Sequence, residues 1–251
     1  MKRIPYDFDM IYDDWMIIET LDIKKSHVIK DMFKYVELKY SQSTDEESEK
    51  EYDYFLQKAL AAHQKLAMMY FAEYNIHNVK FDFESTQNME IPALYGVGKT
   101  QLLFYVESMI LFARNALDVA ATVYSKLILN RRTDSYNEFS KRILSSDDPL
   151  LKELKTYLEN HSNDTLSAFR LLCGTEKGRA LRDIIVHQAN INLQYLEYKE
   201  NSDKERLFLI LKDTYPIDFN NFVLVFLEDV EELFIKTNNC LKIKVESTLK
   251  K

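Results

Sequence analysis

The sequence predicts an all-α protein: a helical bundle with two long core helices and little or no β-structure. Three observations predict it. The chain has 251 residues but only four Gly and four Pro, where average usage of about 7% and 5% would give roughly 18 and 12. Sandwiches, barrels and doubly wound sheets need many tight turns with positive or fixed φ, and these residues are too few to make them. Apolar residues recur at alternating steps of three and four over long stretches, the spacing of a buried helix face. The 46% apolar content, in a chain this long, is enough to bury a large core.

Residues 1–24 alternate acids with Tyr6, Phe8, Tyr12 and Trp15, which reads as an irregular arm or short helix packed on the body. From Ser26 to Tyr40, Val28, Ile29, Met32, Phe33, Val36 and Tyr40 form one face of an amphipathic helix, with Ser26 as its cap. A polar, acidic stretch to Glu51 leads into a long helix near 46–77. Its seam is Tyr52, Leu56, Ala59, His63, Leu66, Tyr70 and Tyr74. Glu46, Glu47, Glu49 and Glu51 suit the positive end of its dipole.

Residues 79–95 break the period. Val79, Phe81 and Phe83 alternate, and Pro92 and Gly96 follow. A short hairpin or loop is expected here, and with it the boundary between an N-terminal helical region, 1–95, and a second bundle, 96–251. A second long helix is expected from about Thr100 to Leu129, its buried stripe Leu103, Val106, Ile110, Ala113, Leu117, Ala120, Tyr124 and Leu127. Shorter helices follow near Tyr136–Leu144 and Leu150–Leu158. A short apolar segment, Thr165–Cys173, ends at Gly174. A helix is expected over about Lys177–Lys199, then the segment Asp203–Lys212, then a last helix near Asn220–Thr237. Alternation in Leu241–Val245 suggests a short final strand.

The charge is −7. That argues against coating nucleic acid by bulk charge, since phosphate binding leans on Lys and Arg, but it leaves room for one basic focus. No stretch of about 18 apolar residues lacks charge, so no membrane span is expected. Residues 1–9 show no signal-peptide run. Cys173 and Cys240 stand alone, as in a reduced, cytoplasmic protein.

Several motifs invite chemistry. Ala93 to Thr100 fits a loose phosphate-loop pattern ending Gly98-Lys99-Thr100. That loop needs a buried strand before it, and Asn88–Pro92 is polar and proline-bearing, so the plainer reading is a helix start with Gly96 and Gly98 in the entering turn. No two of His27, His63, His77, His161 and His187 lie three or four apart, and no Cys pair has ligand spacing, so no metal or other cofactor is expected. His63 falls on an apolar seam and reads as a packed core histidine.

The remaining motif is Gly178-Arg179-Ala180-Leu181-Arg182-Asp183-Ile184-Ile185-Val186-His187. It resembles the Arg-x4–6-His motif of the HEPN superfamily, a group of helical-bundle domains in which a polar residue typically follows the Arg, as Asp183 does here. The helix Tyr105–Asp118 is similar to an early core helix of such bundles. The resemblance covers about 98–240. It implies a metal-independent endoribonuclease in a toxin–antitoxin or antiviral defence setting. It also implies a homodimer with facing motifs, RNA as substrate and an antitoxin protein as a further partner.

On one helix His187 stacks with Asp183, Asn190 and Gln194 as a polar stripe beside the core face of Leu181, Ile184, Ile185, Gln188 or Ala189, Asn192 and Leu196. Arg182 lies roughly 140° round from His187, so the two heads meet only if Arg182 bends across or a second copy completes the site. A histidine can move the ribose 2′-OH proton and a guanidinium can hold charge on the phosphorus-centred transition state. This makes Arg182 and His187 the catalytic candidates, with Asp183 orienting His187. Lys177 and Arg179 are the RNA-contact candidates; ordinary solvated charge is the equal alternative. Glu107, Arg114 and Asp118 share one helix face. An exposed face is the default for them, and a buried network supporting the site is the alternative. The competing functions are a non-catalytic HEPN-like module that binds nucleotide, RNA or protein, and a helical interaction protein in which the motif is accidental.

Overall fold

The computed structural model describes residues 28–40, 45–86, 92–164, 166–174, 180, 181, 183, 185, 191–197, 205–210 and 216–249. The expectations for the arm at 1–24 and the Ser26 cap lie outside them. The protein is predominantly α-helical with one small antiparallel sheet. Its elements in order are α1 (Val28–Tyr40), α2 (Glu46–Thr86), α3 (Pro92–Leu129), α4 (Tyr136–Leu144), a 3₁₀ turn (Pro149–Leu151), α5 (Lys152–Asn163), α6 (Ala168–Cys173), β1 (Asn192–Glu197), β2 (Glu205–Ile210), β3 (Ile217–Asp218) and α7 (Phe219–Leu249).

The two long helices α2 and α3 pack as an antiparallel pair. Glu51 near the start of α2 meets Lys126 near the end of α3 at 2.8 Å, and Lys65 sits over the Phe112 ring. Their seams are the periodic ones. Tyr52, Ala59, His63, Leu66 and Tyr70 are buried from α2, and Val106, Ile110, Ala113, Leu117, Ala120, Tyr124 and Leu127 from α3. Helix α2 starts where Asp45 accepts the Ser48 backbone N–H at 2.8 Å, an N-cap that satisfies one orphan donor. Helix α3 ends at Asn130, whose φ of 52° lets the Arg131 N–H reach back to the Ser125 carbonyl at 3.2 Å. Asn tolerates this left-handed turn better than most side chains.

The long last helix α7 packs against α1, α3, α5 and α6. Val223, Phe226, Val230, Leu233 and Phe234 fill the middle of the core from its inner face. Two buried hydroxyls tie it in: Tyr124 donates to Asn238 Oδ1 at 2.8 Å, and Tyr136 pairs with Thr237 Oγ1 at 2.9 Å. One cluster of buried side chains runs from Met32 to Val245 and draws on both sides of position 95.

Several local expectations are corrected. Residues 79–86 continue α2, and α3 already begins at Pro92, so no hairpin occupies 79–86 or 92–95. Gly96 and Gly98 lie inside α3 rather than in its entering turn, while Gly98-Lys99-Thr100 is helical backbone, as the plainer reading of that motif expects. Pro at the first helical position loses nothing, because its missing N–H would be unpaired there anyway. Residues 241–245 are helical within α7. A helix running to Lys199 is overturned by β1, and 205–210 is a strand too. Strands β1 and β2 pair antiparallel with Leu193 opposite Leu209 and Tyr195 opposite Leu207, and β2 pairs with β3. The reason is the period-two burial. Ile191, Leu193, Leu207 and Leu209 are all buried, while Gln194 between them is exposed, the pattern of a sheet covered on one face.

Candidate functional site

The motif segment follows α6. That helix is capped at its start by Ser167, which accepts from the Arg170 N–H, and ends at Gly174. There φ is 71°, a value that suits a residue without Cβ. Further on, Leu181, Asp183 and Ile185 are helical, and the Asp183 N–H bonds to the Ala180 carbonyl at 3.0 Å. Ala180, Leu181 and Ile185 are buried, at 5%, 3% and 8% exposure, whereas Asp183 is partly exposed. The segment is thus amphipathic, with Leu181 and Ile185 on the core side as their spacing predicts. Arg182, His187, Lys177 and Arg179 lie outside the described residues. The polar stripe linking His187 to Gln194 and the core face continued through Asn192 and Leu196 are corrected, because Asn192, Gln194 and Leu196 belong to β1 and a strand does not carry a helical face forward.

Next to the start of this segment sits a buried polar network on α3. Arg114 is 6% exposed, so the default of an exposed face does not hold for it. Its Nε donates to Asp118 Oδ2 at 2.8 Å. Its Nη1 donates to Asn137 Oδ1 and to the Leu172 carbonyl, both at 2.9 Å, and lies 3.1 Å from Cys173 Sγ. The other Asp118 oxygen accepts the Tyr136 backbone N–H at 2.8 Å. One guanidinium therefore joins α3, α4 and the end of α6, and it touches the last two residues before Gly174. Burial pushes the Cys173 thiol up to about 12 against the lowering effect of Arg114. It is held as a neutral thiol, a poor nucleophile.

Glu107, placed beside Arg114 by its spacing, takes no part in that network. Its carboxyl is partly buried, and this burial raises it above the ordinary range. Asn137 and Cys173 were not singled out by sequence. They come from α4 and α6, 23 and 59 residues away from Arg114, and no local pattern marks such pairings. The Arg114–Asp118 pair, one turn apart, is the part that local spacing could have shown.

His63 is a core residue, 3% exposed. His77 is exposed and pairs with Glu73 at 2.8 Å. Arg132 pairs with Glu51 at 3.1 Å and lies over the Tyr54 and Phe55 rings, while Arg142 pairs with Glu138. Among the described residues no group of three or more His, Cys, Asp or Glu could hold a metal ion, and no helix is long and apolar enough to cross a membrane. Cys173 and Cys240 are both free thiols. In comparisons with known family models, curated proteins and solved structures, the chain matches none.

Proposed function

We propose that the chain is a metal-independent endoribonuclease of the HEPN type. The observation that carries this reading is the motif Arg182-Asp183-x3-His187 on a segment whose Ala180, Leu181 and Ile185 are anchored in the core while Asp183 is partly exposed. The Arg114 network supports it by holding the chain at Leu172 and Cys173, just before the segment begins.

In this reading His187 takes the proton from a ribose 2′-OH. The 2′ oxygen forms a bond to phosphorus, the bond to the 5′ oxygen breaks, and the protonated imidazole gives that proton to the leaving 5′ oxygen. The products are a 2′,3′-cyclic phosphate and a 5′-hydroxyl, and DNA, lacking the 2′-OH, is not a substrate. Arg182 holds the negative charge that builds on the phosphoryl oxygens. Asp183 orients His187 and favours its charged form. Lys177 and Arg179 hold neighbouring phosphates. Two copies face each other so that Arg182 of one and His187 of the other share a site, which answers their separation round one helix. The setting is toxin–antitoxin or antiviral defence in the cytoplasm, with an antitoxin protein as partner.

The test is RNA incubated with the protein in EDTA, with His187→Ala alongside. The expected result is cyclic-phosphate fragments from the wild type and a loss of about 10²–10⁴ in rate for the variant, the range for removing a general acid–base group. Equal cleavage by both, or none by either, overturns the nuclease reading. A gel shift on the uncleaved RNA then decides whether the chain is a binding module.

A further inference from the structure

The paired helices α2 and α3 bury one face in the core and leave the opposite one open. On α2 the open positions are Gln64, Met68, Phe71 and Asn75, and on α3 they are Val97, Gln101, Phe104 and Ser108, each exposed or partly exposed. Both rows step by four, three and four, the repeat of a coiled-coil seam. Met68 and Phe71 are 44% and 48% exposed, and Val97 and Phe104 are 56% and 62% exposed. The Lys65 ammonium links the two helices on this side. It lies 5.6 Å from the Phe112 ring centroid and 3.8 Å from Met68 Sδ. With the Glu51–Lys126 pair, that contact sets the register of the helices and puts Phe71 and Phe104 within one turn of the same height.

The open face is depleted of charge. The chain has 40 Asp and Glu, but the stretches Gln64 to Asn78 and Val97 to Asn115 hold only Glu73 and Glu107. Glu73 lies about 160° round α2 from Phe71 and pairs with His77. Glu107 lies about 80° round α3 from Val97, on the side of Arg114. Few charges with exposed Phe and Met is the composition of an interface core. Apart from Lys65 the face offers no charge to recruit an acidic or basic partner. An identical face, by contrast, lets two chains of charge −7 meet without burying a carboxylate. A twofold axis parallel to the helices keeps each side chain at its own height, so α2 of one copy lies on α3 of the other and apolar positions meet apolar positions. The face is about 27 Å long from Val97 to Asn115 and about 20 Å across two helices. That is a footprint of roughly 540 Å² per copy and about 1,100 Å² for the pair, above the ~1,000 Å² that a specific interface needs.

We propose that this face joins two copies of the chain as an antiparallel four-helix bundle, with Phe71 packed on the partner's Phe104. The contact is separate from the motif segment, which follows the residues that Arg114 holds on another side of α3. It goes beyond the nuclease reading and stands whether or not RNA is cleaved. Together with the pairing of motifs, it builds an assembly larger than a dimer.

The experiment is sedimentation equilibrium of the full chain at concentrations up to about 100 μM. The wild type is expected to self-associate, and Phe71→Lys and Phe104→Lys each to weaken that association about tenfold or more, as for the central aromatic residues of an interface. Both side chains are exposed, so the circular dichroism spectra of the two variants should match the wild type. Cross-linking tests the arrangement itself. Phe71→Cys mixed with Phe104→Cys should give a disulfide-linked dimer on mild oxidation, and neither variant alone should exceed the wild-type background from Cys173 and Cys240. The proposal is overturned by a wild type that stays monomeric at about 100 μM, by wild-type association in Phe104→Lys, or by cross-linking in the mixture no greater than in either variant alone. The cleavage test with His187→Ala reads a different property, so either proposal fails without the other.

Discussion

Arg114 and Asp118 are one helical turn apart on α3, yet each is committed to a different neighbour as well as to the other. The guanidinium reaches Asn137, Leu172 and Cys173, and the carboxylate takes the Tyr136 N–H. An i, i+4 ion pair on a helix surface contributes only a few tenths of a kcal/mol. Here the side chains are 8% and 27% exposed, and removing one leaves the other's bonds broken where solvent reaches only in part.

Arg114→Met should therefore cost about 2–4 kcal/mol in urea unfolding, somewhat below the full range for a broken buried pair because Asp118 keeps some solvent. Arg114→Lys should recover only part of it, since an ammonium cannot reproduce the planar fork. A loss under about 0.5 kcal/mol in Arg114→Met would show that the network is not a structural clamp.

The two buried tyrosine hydroxyls give a finer test. Thr237 Oγ1 donates to the Leu233 carbonyl at 2.7 Å, so it accepts from Tyr136. Removing the hydroxyl in Tyr136→Phe deletes one bond and leaves the threonine satisfied. About 1 kcal/mol is expected. Tyr124→Phe takes a donor from the buried Asn238 and should cost at least as much. Thermal melts of the two single variants and the double variant decide it.

Acid stability should depend on two clasps. Lys126, then Arg132 and Tyr40, hold the Glu51 carboxyl below its ordinary range by hydrogen bonds and charge. Lys244 does the same for Asp148. A depressed carboxylate contributes stability that is fully present above its unfolded pKa, about 4, and lost as pH falls through the lower folded value. The melting temperature should hold from pH 7 to about 5 and fall below about 4. In Glu51→Gln that fall should be shallower, because the clasp is already gone at pH 7.

Glu107 has the opposite sign. Burial raises its carboxyl, so the folded state favours the protonated form, and the stability this brings is lost as pH rises through the folded value. Glu107→Gln should raise the melting temperature at pH 7 by on the order of 1 °C and change little at pH 4. A lower melting temperature at pH 7 would mean that the charge is held by a favourable contact.

Leu209 is fully buried on β2. Leu209→Ala should cost about 2–5 kcal/mol, as in other core truncations. The outward-facing Gln194 of β1 should tolerate Ala within about 0.5 kcal/mol. Equal costs at the two positions would contradict the one-sided burial of the sheet.

The sequence by itself determined the helical class, because four glycines in 251 residues cannot make the turns of a sheet fold. It also determined which faces of α1, α2 and α3 go inside, because a stripe recurring every three to four residues has one way to be buried. On the motif segment it placed Leu181 and Ile185 in the core for the same reason. Tertiary structure alone decided the rest. Ile191 to Glu197 has enough apolar residues for a helix or a strand, and only the pairing of Leu193 with Leu209 and burial against the bundle make it a strand. Whether Arg114 faces water or the core depends on α4 and α6, brought from 23 and 59 residues away. The Glu153–Lys236 pair exists only because α5 and α7 meet. Periodicity is a local property that a chain carries in its order of residues, whereas the pairing of distant elements is settled by packing.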